Sequence, residues 1–138
     1  MSNIWTVPQP TTHMRQLCRE LGPEYIIREL DLERVIYRDF GNGYNVEISA
    51  ANTSSKRKPV NLYLWRGEDR KIGSRLRVPQ DKIHEEVEKL RAFTETILPE
   101  DFDEHGFFSR DLYEKNHAGS AEKRETIAES LWPVACGR

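Results

Sequence analysis

The sequence lacks most of the features that would identify a protein at a glance. It has only two cysteines, Cys18 and Cys136, near opposite ends of the chain. Neither belongs to a paired motif, so a redox dithiol and a cysteine-based zinc motif are excluded, and the expectation is a reduced cytoplasmic chain. No run approaches the roughly 18 apolar residues of a membrane span. Met1–Pro10 has no basic patch followed by an apolar stretch, so no secretory leader is read there. There is no G-x-S-x-G, no phosphate-cradling glycine loop, and none of the four histidines is paired at i, i+4. Repeats and low-complexity tracts are absent as well. No cofactor and no metal are expected.

What remains is a charged chain of 138 residues, 37% apolar and 32% charged, with a net charge of −2. That length suits a single domain with one real core. The charge is unevenly placed. Residues 56–77 hold eight basic side chains against two acidic ones, whereas residues 78–130 hold 14 acidic and seven basic. Such asymmetry either attracts an anion at one end or simply solvates a hairpin and a helix.

Thr11 or Thr12 caps a first helix, in which Met14, Leu17, Cys18 and Leu21 recur at helical spacing, and Gly22-Pro23 ends it. Candidate strands follow at Glu24–Leu30 and Arg34–Phe40. The turn Gly41-Asn42-Gly43 leads to a third strand, in which Tyr44, Val46, Ile48 and Ala50 alternate with polar residues. Val60, Leu62 and Leu64 alternate with Asn61, Tyr63 and Trp65 in a fourth. A fifth, interrupted near Gly73, carries Ile72, Leu76 and Val78. A long helix starts at Pro79-Gln80-Asp81 with Asp81 near its N-cap, carries Ile83, Val87, Leu90, Phe93 and Ile97, and closes at Pro99. A short helix is read within Phe107 to Lys115, and another over Ala121–Leu131 with Ser120 at its cap.

Short connections imply an antiparallel meander. The expected fold is therefore α+β: a five-stranded antiparallel meander flanked by an N-terminal helix, one long helix and short C-terminal helices. Residues 1–138 form one domain, with a core over 11–98, a C-terminal segment 99–132 packed on it, and a frayed end at 133–138. One sheet face, with Val46, Ile48, Leu62 and Leu64, receives the long helix. The other presents Tyr63 and Trp65, joined by Tyr25 or Ile26, Ile36 and Tyr37, and also needs cover, from the tail, a ligand or a second subunit.

Three motifs invite chemistry. Asp39-Phe40-Gly41 spells the metal-binding triplet of protein kinases but lacks every partner motif, so it reads as strand end plus turn. Asp101-x-Asp103-x-His105-Gly106 begins like a calcium loop, yet position twelve is Leu112 rather than a bidentate glutamate. The basic hairpin 56–77 interleaves Tyr63 and Trp65 with arginines, a combination that stacks on bases and pairs with phosphates. Net acidity argues against a dedicated nucleic-acid coat, so the favoured reading is that Tyr63 and Trp65 are buried under another element while the arginines snorkel; the alternative is a small anionic ligand, such as a nucleotide, rather than a polymer.

Phe107-Phe108-Ser109-Arg110-Asp111-Leu112-Tyr113 is the most unusual stretch, read either as a hydrophobic anchor or as a base-stacking, phosphate-pairing and ribose-binding unit. With this element order and with Phe108, Arg110 and Asp111, the chain resembles the phage Thoeris anti-defence sponge proteins. Those proteins sequester cyclic ADP-ribose or cyclic oligonucleotide signals between subunits without cleaving them. The resemblance implies that Phe108 stacks on a base while Arg110 and Asp111 meet phosphate and ribose, in a homo-oligomer located in the host cytoplasm. The candidate ligand-binding set is Phe108, Arg110, Asp111, Tyr63, Trp65, Arg66 and Arg28. The expected function is non-enzymatic sequestration of a nucleotide-like anion, with no membrane partner. The alternatives are a protein–protein inhibitor or adaptor from a mobile element, acting through charged surfaces, and a small enzyme with a scattered site.

Overall fold

The computed structural model describes residues 7–118. Helix α1 spans Thr12–Leu21. It starts where the Thr11 hydroxyl accepts the Met14 N–H at 3.0 Å and stops at Gly22, whose φ of +127° few other residues adopt. Five strands follow: β1 (Ile26–Leu30), β2 (Glu33–Asp39), β3 (Tyr44–Ser49), β4 (Val60–Arg66) and β5 (Arg70–Val78). They pair in sequence order, every neighbour antiparallel. Helix α2 (Ile83–Thr94) and the short helix α3 (Arg110–Asn116) complete the described chain. The α+β meander is the one that the alternation in the sequence predicts.

Register fixes the two faces. Ile36 lies opposite Ile48, which lies opposite Leu62, and Val46 lies opposite Leu64. Because side chains alternate along a strand, these residues share one face. Met14 and Leu17 from α1, Val87 and Phe93 from α2, and Tyr113 from α3 join them in a single buried cluster. The described helices therefore all lie on one side of the sheet, opposite its second face. Among the described residues no helix covers that face.

Several details differ from the sequence expectation, each for a physical reason. Asp81 does not cap α2; a 3-10 turn over Gln80–Lys82 leads into the helix, and Lys82 at the cap makes no side-chain capping hydrogen bond. The helix closes at Thr94 rather than Pro99, with the Thr94 hydroxyl donating back to the Arg91 carbonyl at 2.6 Å. Pro99 instead opens a 3-10 turn. Strand β5 is continuous, and the break expected near Gly73 is a register shift in its pairing with β4. Residues 107–109 precede α3, whose first turn is capped by the Ser109 hydroxyl accepting the Leu112 N–H. Tyr25 and Ile36 belong to the helix side, leaving Ile26 and Tyr37 on the open face. The segment 99–117 packs beside α2 and does not meet the open face: Tyr113 packs against Phe93, the rings tilted 48° with centroids 5.1 Å apart. The helix expected over 121–131 and the end at 132–138 lie outside the described residues, as does Cys136.

Candidate functional site

The structure separates the sequence candidates into two groups. Arg28, Tyr63 and Trp65 point to the open face. Arg66, Phe108, Arg110 and Asp111 sit on the helix side. There, the Arg66 guanidinium lies 4.4 Å from the Phe102 ring centroid. Phe108 packs edge-on against Phe93 and Phe102, at 6.2 and 5.7 Å. Arg110 donates to Glu114 one turn along at 2.9 Å, and Asp111 is exposed in the first turn of α3. This is the geometry of an aromatic anchor with a helical ion pair beside it.

The two acidic motifs also have local explanations. The Asp39 carboxylate accepts the Gly41 N–H at 2.8 Å and so holds the β2–β3 turn. Asp103 accepts the N–H groups of His105 and Phe107, and those backbone bonds lower its pKa. Asp101 is fully buried and accepts from the Leu98 N–H and the Asn116 amide. Among the described residues no group of three His, Cys, Asp or Glu side chains is placed to hold a metal ion.

On the open face the strands bring together a row that the sequence does not display. Tyr37 of β2, Glu47 of β3 and Tyr63 of β4 are direct cross-strand neighbours. Trp65, one step along β4, donates its indole N–H to Glu47 Oε1 at 3.1 Å. A cation stands over each tyrosine: the Arg28 guanidinium 4.3 Å from the Tyr37 centroid, and the Lys71 ammonium 5.0 Å from that of Tyr63. Arg28, Leu30, Tyr37, Glu47 and Trp65 line a hollow of about 190 Å³, with Asp31 and Glu68 at its rim.

Burial pushes the Glu47 carboxyl above its ordinary value; the nearby charges of Glu33 and Asp31 add to this, while the Trp65 hydrogen bond and the Lys71 charge oppose it. Burial, with Asp39 nearby, likewise raises the Tyr37 phenol. Such an arrangement can stack a flat ring, accept N–H donors at its centre through Glu47, and offer Arg28 at its side to an acidic group.

Glu47 and Tyr37 are the residues that the candidate set lacked. Glu47 reads in the sequence as one more polar residue on the solvated side of β3. The signal for it was the tight Gly41-Asn42-Gly43 turn, which sets the register that places Glu47 opposite Tyr37.

A second polar cluster lies within the helix layer. Arg38 of β2 donates to Glu88 of α2 at 2.8 Å and to the Tyr25 hydroxyl at 3.2 Å, and that hydroxyl is 3.0 Å from His84 Nδ1. Its members satisfy one another and tie α2 to the sheet edge, a structural role.

These features define a two-layer α+β protein with an aromatic, carboxylate-centred open sheet face. No protein-family model, no curated protein and no solved structure matches the chain. No described helix is long and apolar enough to cross a membrane.

Proposed function

We propose that the protein is a non-enzymatic binding module that sequesters a nucleotide-like ligand on its open sheet face. One observation carries the reading: three rings, Tyr37, Tyr63 and Trp65, surround Glu47 on a face that no described helix covers. Flat aromatic platforms of this kind bind bases by stacking, about 1–3 kcal/mol per base. Arg28 stands over the Tyr37 ring, a guanidinium of the kind that pairs with phosphate. Among the described residues the site has a half-buried acid but no nucleophile and base in hydrogen-bonding contact, which favours holding over cleaving. The set implied by the resemblance, Phe108, Arg110 and Asp111, contributes anchoring rather than ligand contact in this reading.

Isothermal titration against nucleoside monophosphates and cyclic nucleotides tests the proposal. Binding that is lost in Trp65→Ala and Tyr37→Ala, but retained in Arg110→Ala, supports it. Absence of binding by every nucleotide, with an intact fold, removes it.

A second reading rests on the acids around the same hollow. Among the described residues, Asp31, Glu47 and Glu68 line it against the single cation Arg28, Asp39 lines the adjoining hollow, and such an acidic surface suits a basic surface on a protein partner. A stoichiometric protein complex that needs no nucleotide, and is weakened by Asp31→Asn with Glu68→Gln, favours that alternative.

A further inference from the structure

The geometry points to a guanine base as the group that the open face selects, with Glu47 as the residue that reads it. This deepens the proposed nucleotide binding and rests on it. Glu47 has one oxygen engaged: Oε1 accepts the Trp65 indole N–H. Among the described residues Oε2 accepts no hydrogen bond, and no cation is within ion-pair distance of the carboxylate. A half-buried carboxylate held in a fixed orientation, with an oxygen to spare, calls for a donor from outside.

The walls of the hollow decide what kind of donor fits. Tyr37 and Tyr63 flank Glu47 directly across the sheet, and Trp65 is held against it. The hollow of about 190 Å³ is lined by Tyr37, Glu47 and Trp65, with Tyr63 outside it, and leaves room for a single planar heterocycle beside those two rings. Of the nucleobases, guanine alone presents two adjacent N–H donors, at N1 and at the N2 amine, on its Watson–Crick edge. Those two donors suit this carboxylate: one meets Oε2, and the other meets the second lone pair of Oε1, beside the indole bond. Adenine and cytosine each set an acceptor next to their amine, and that acceptor lone pair would face the carboxylate. Uracil offers one N–H between two carbonyls. An oxygen that meets an acceptor is left unpaired in a partly desolvated site, and this penalises the wrong base more than a good contact rewards the right one. The acidic rim, Asp31 and Glu68, further favours the base that brings donors.

The test titrates the full-length protein by calorimetry with GMP, IMP, AMP and CMP, each against wild type and Glu47→Gln. The variant keeps the side-chain shape and an amide oxygen for Trp65, and circular dichroism checks its fold. Wild type is expected to bind GMP at least tenfold more tightly than AMP or CMP. IMP, which lacks the N2 amine, is expected between them. In Glu47→Gln the preference should invert toward AMP, because an amide pairs with the donor–acceptor edge of adenine. A merely structural role for Glu47 weakens all four nucleotides alike and cannot invert their order. Equal binding of AMP and GMP by wild type overturns the base assignment while leaving nucleotide binding at the face intact. Absence of binding by all four overturns both.

Discussion

The indole N–H of Trp65 meets Glu47 Oε1 at 3.1 Å across two neighbouring strands of the open face. The bond fixes a carboxylate among aromatic rings, where burial raises its pKa against the opposing Trp65 hydrogen bond and Lys71 charge. That combination costs stability at neutral pH and is the kind of expense that binding sites carry.

The sign of that cost is measurable. Because the folded pKa of Glu47 lies above its unfolded value, the unfolded chain releases the proton first as pH rises. Stability then falls from the ordinary carboxylate value upward through the folded pKa. Glu47→Gln should match wild type below that window and be more stable above it. Urea titrations at a series of pH values between 4 and 8 check this; a variant less stable than wild type at neutral pH would contradict it.

Glu88 behaves in the opposite sense. Its partial burial pulls its pKa up, but hydrogen bonds from Arg38 and Arg91 outweigh that and leave the pKa lowered. Its contribution is present above the ordinary carboxylate value and is lost as pH falls through the folded pKa. Arg38, with a side chain only 11% exposed, also holds the Tyr25 hydroxyl. Arg38→Ala should cost about 2 kcal/mol at pH 7 and less under acid conditions. Thermal melts at the two pH values read the difference.

The β1–β2 turn is strained. Leu30 pairs with Glu33, so Asp31 and Leu32 form a two-residue loop, and both have positive φ, 51° and 66°. That hairpin geometry suits Asn-Gly and is unfavourable for a leucine, which is also 56% exposed here. Leu32→Gly is expected to stabilise the fold by about 0.5–1 kcal/mol. A denaturant midpoint that falls would show that Leu32 makes a contact worth more than the strain.

The segment 107–113 separates anchor from ligand site. Phe108→Ala removes a ring from the cluster with Phe93, Phe102 and Tyr113 and should cost about 2–3 kcal/mol. Asp111→Ala, at an exposed position of α3, should cost less than about 0.5 kcal/mol beyond its helix-dipole effect. Neither should change nucleotide affinity at the open face. A specific loss of binding in Asp111→Ala, with unchanged stability, would restore the ligand role that the resemblance implies.

Much of this architecture is legible in the sequence. Alternation in β3 and β4, with Gly41-Asn42-Gly43 and Arg66–Asp69 between strands, gives the meander and the face that receives α2. The parity of β1 and β2 is not legible. Val35-Ile36-Tyr37 and Tyr25-Ile26-Ile27 are unbroken apolar runs, so either face is compatible with the pattern, and a one-residue slip exchanges the two. That ambiguity assigned Ile36 to the open face. The destination of 107–113 was equally hidden, because two phenylalanines announce burial without saying against what. Glu47 could be identified only through register: its importance comes from Tyr37 and Tyr63, ten and sixteen residues away in the chain.

The most direct test is amide chemical-shift mapping on the full-length protein during titration with GMP. The account predicts saturable shifts confined to Arg28, Tyr37, Glu47, Tyr63, Trp65 and their strand neighbours, together with the Trp65 indole N–H, while residues 99–117 stay unmoved. Shifts centred on Phe108, Arg110 and Asp111 with a silent open face, or no shifts at any position, would contradict it.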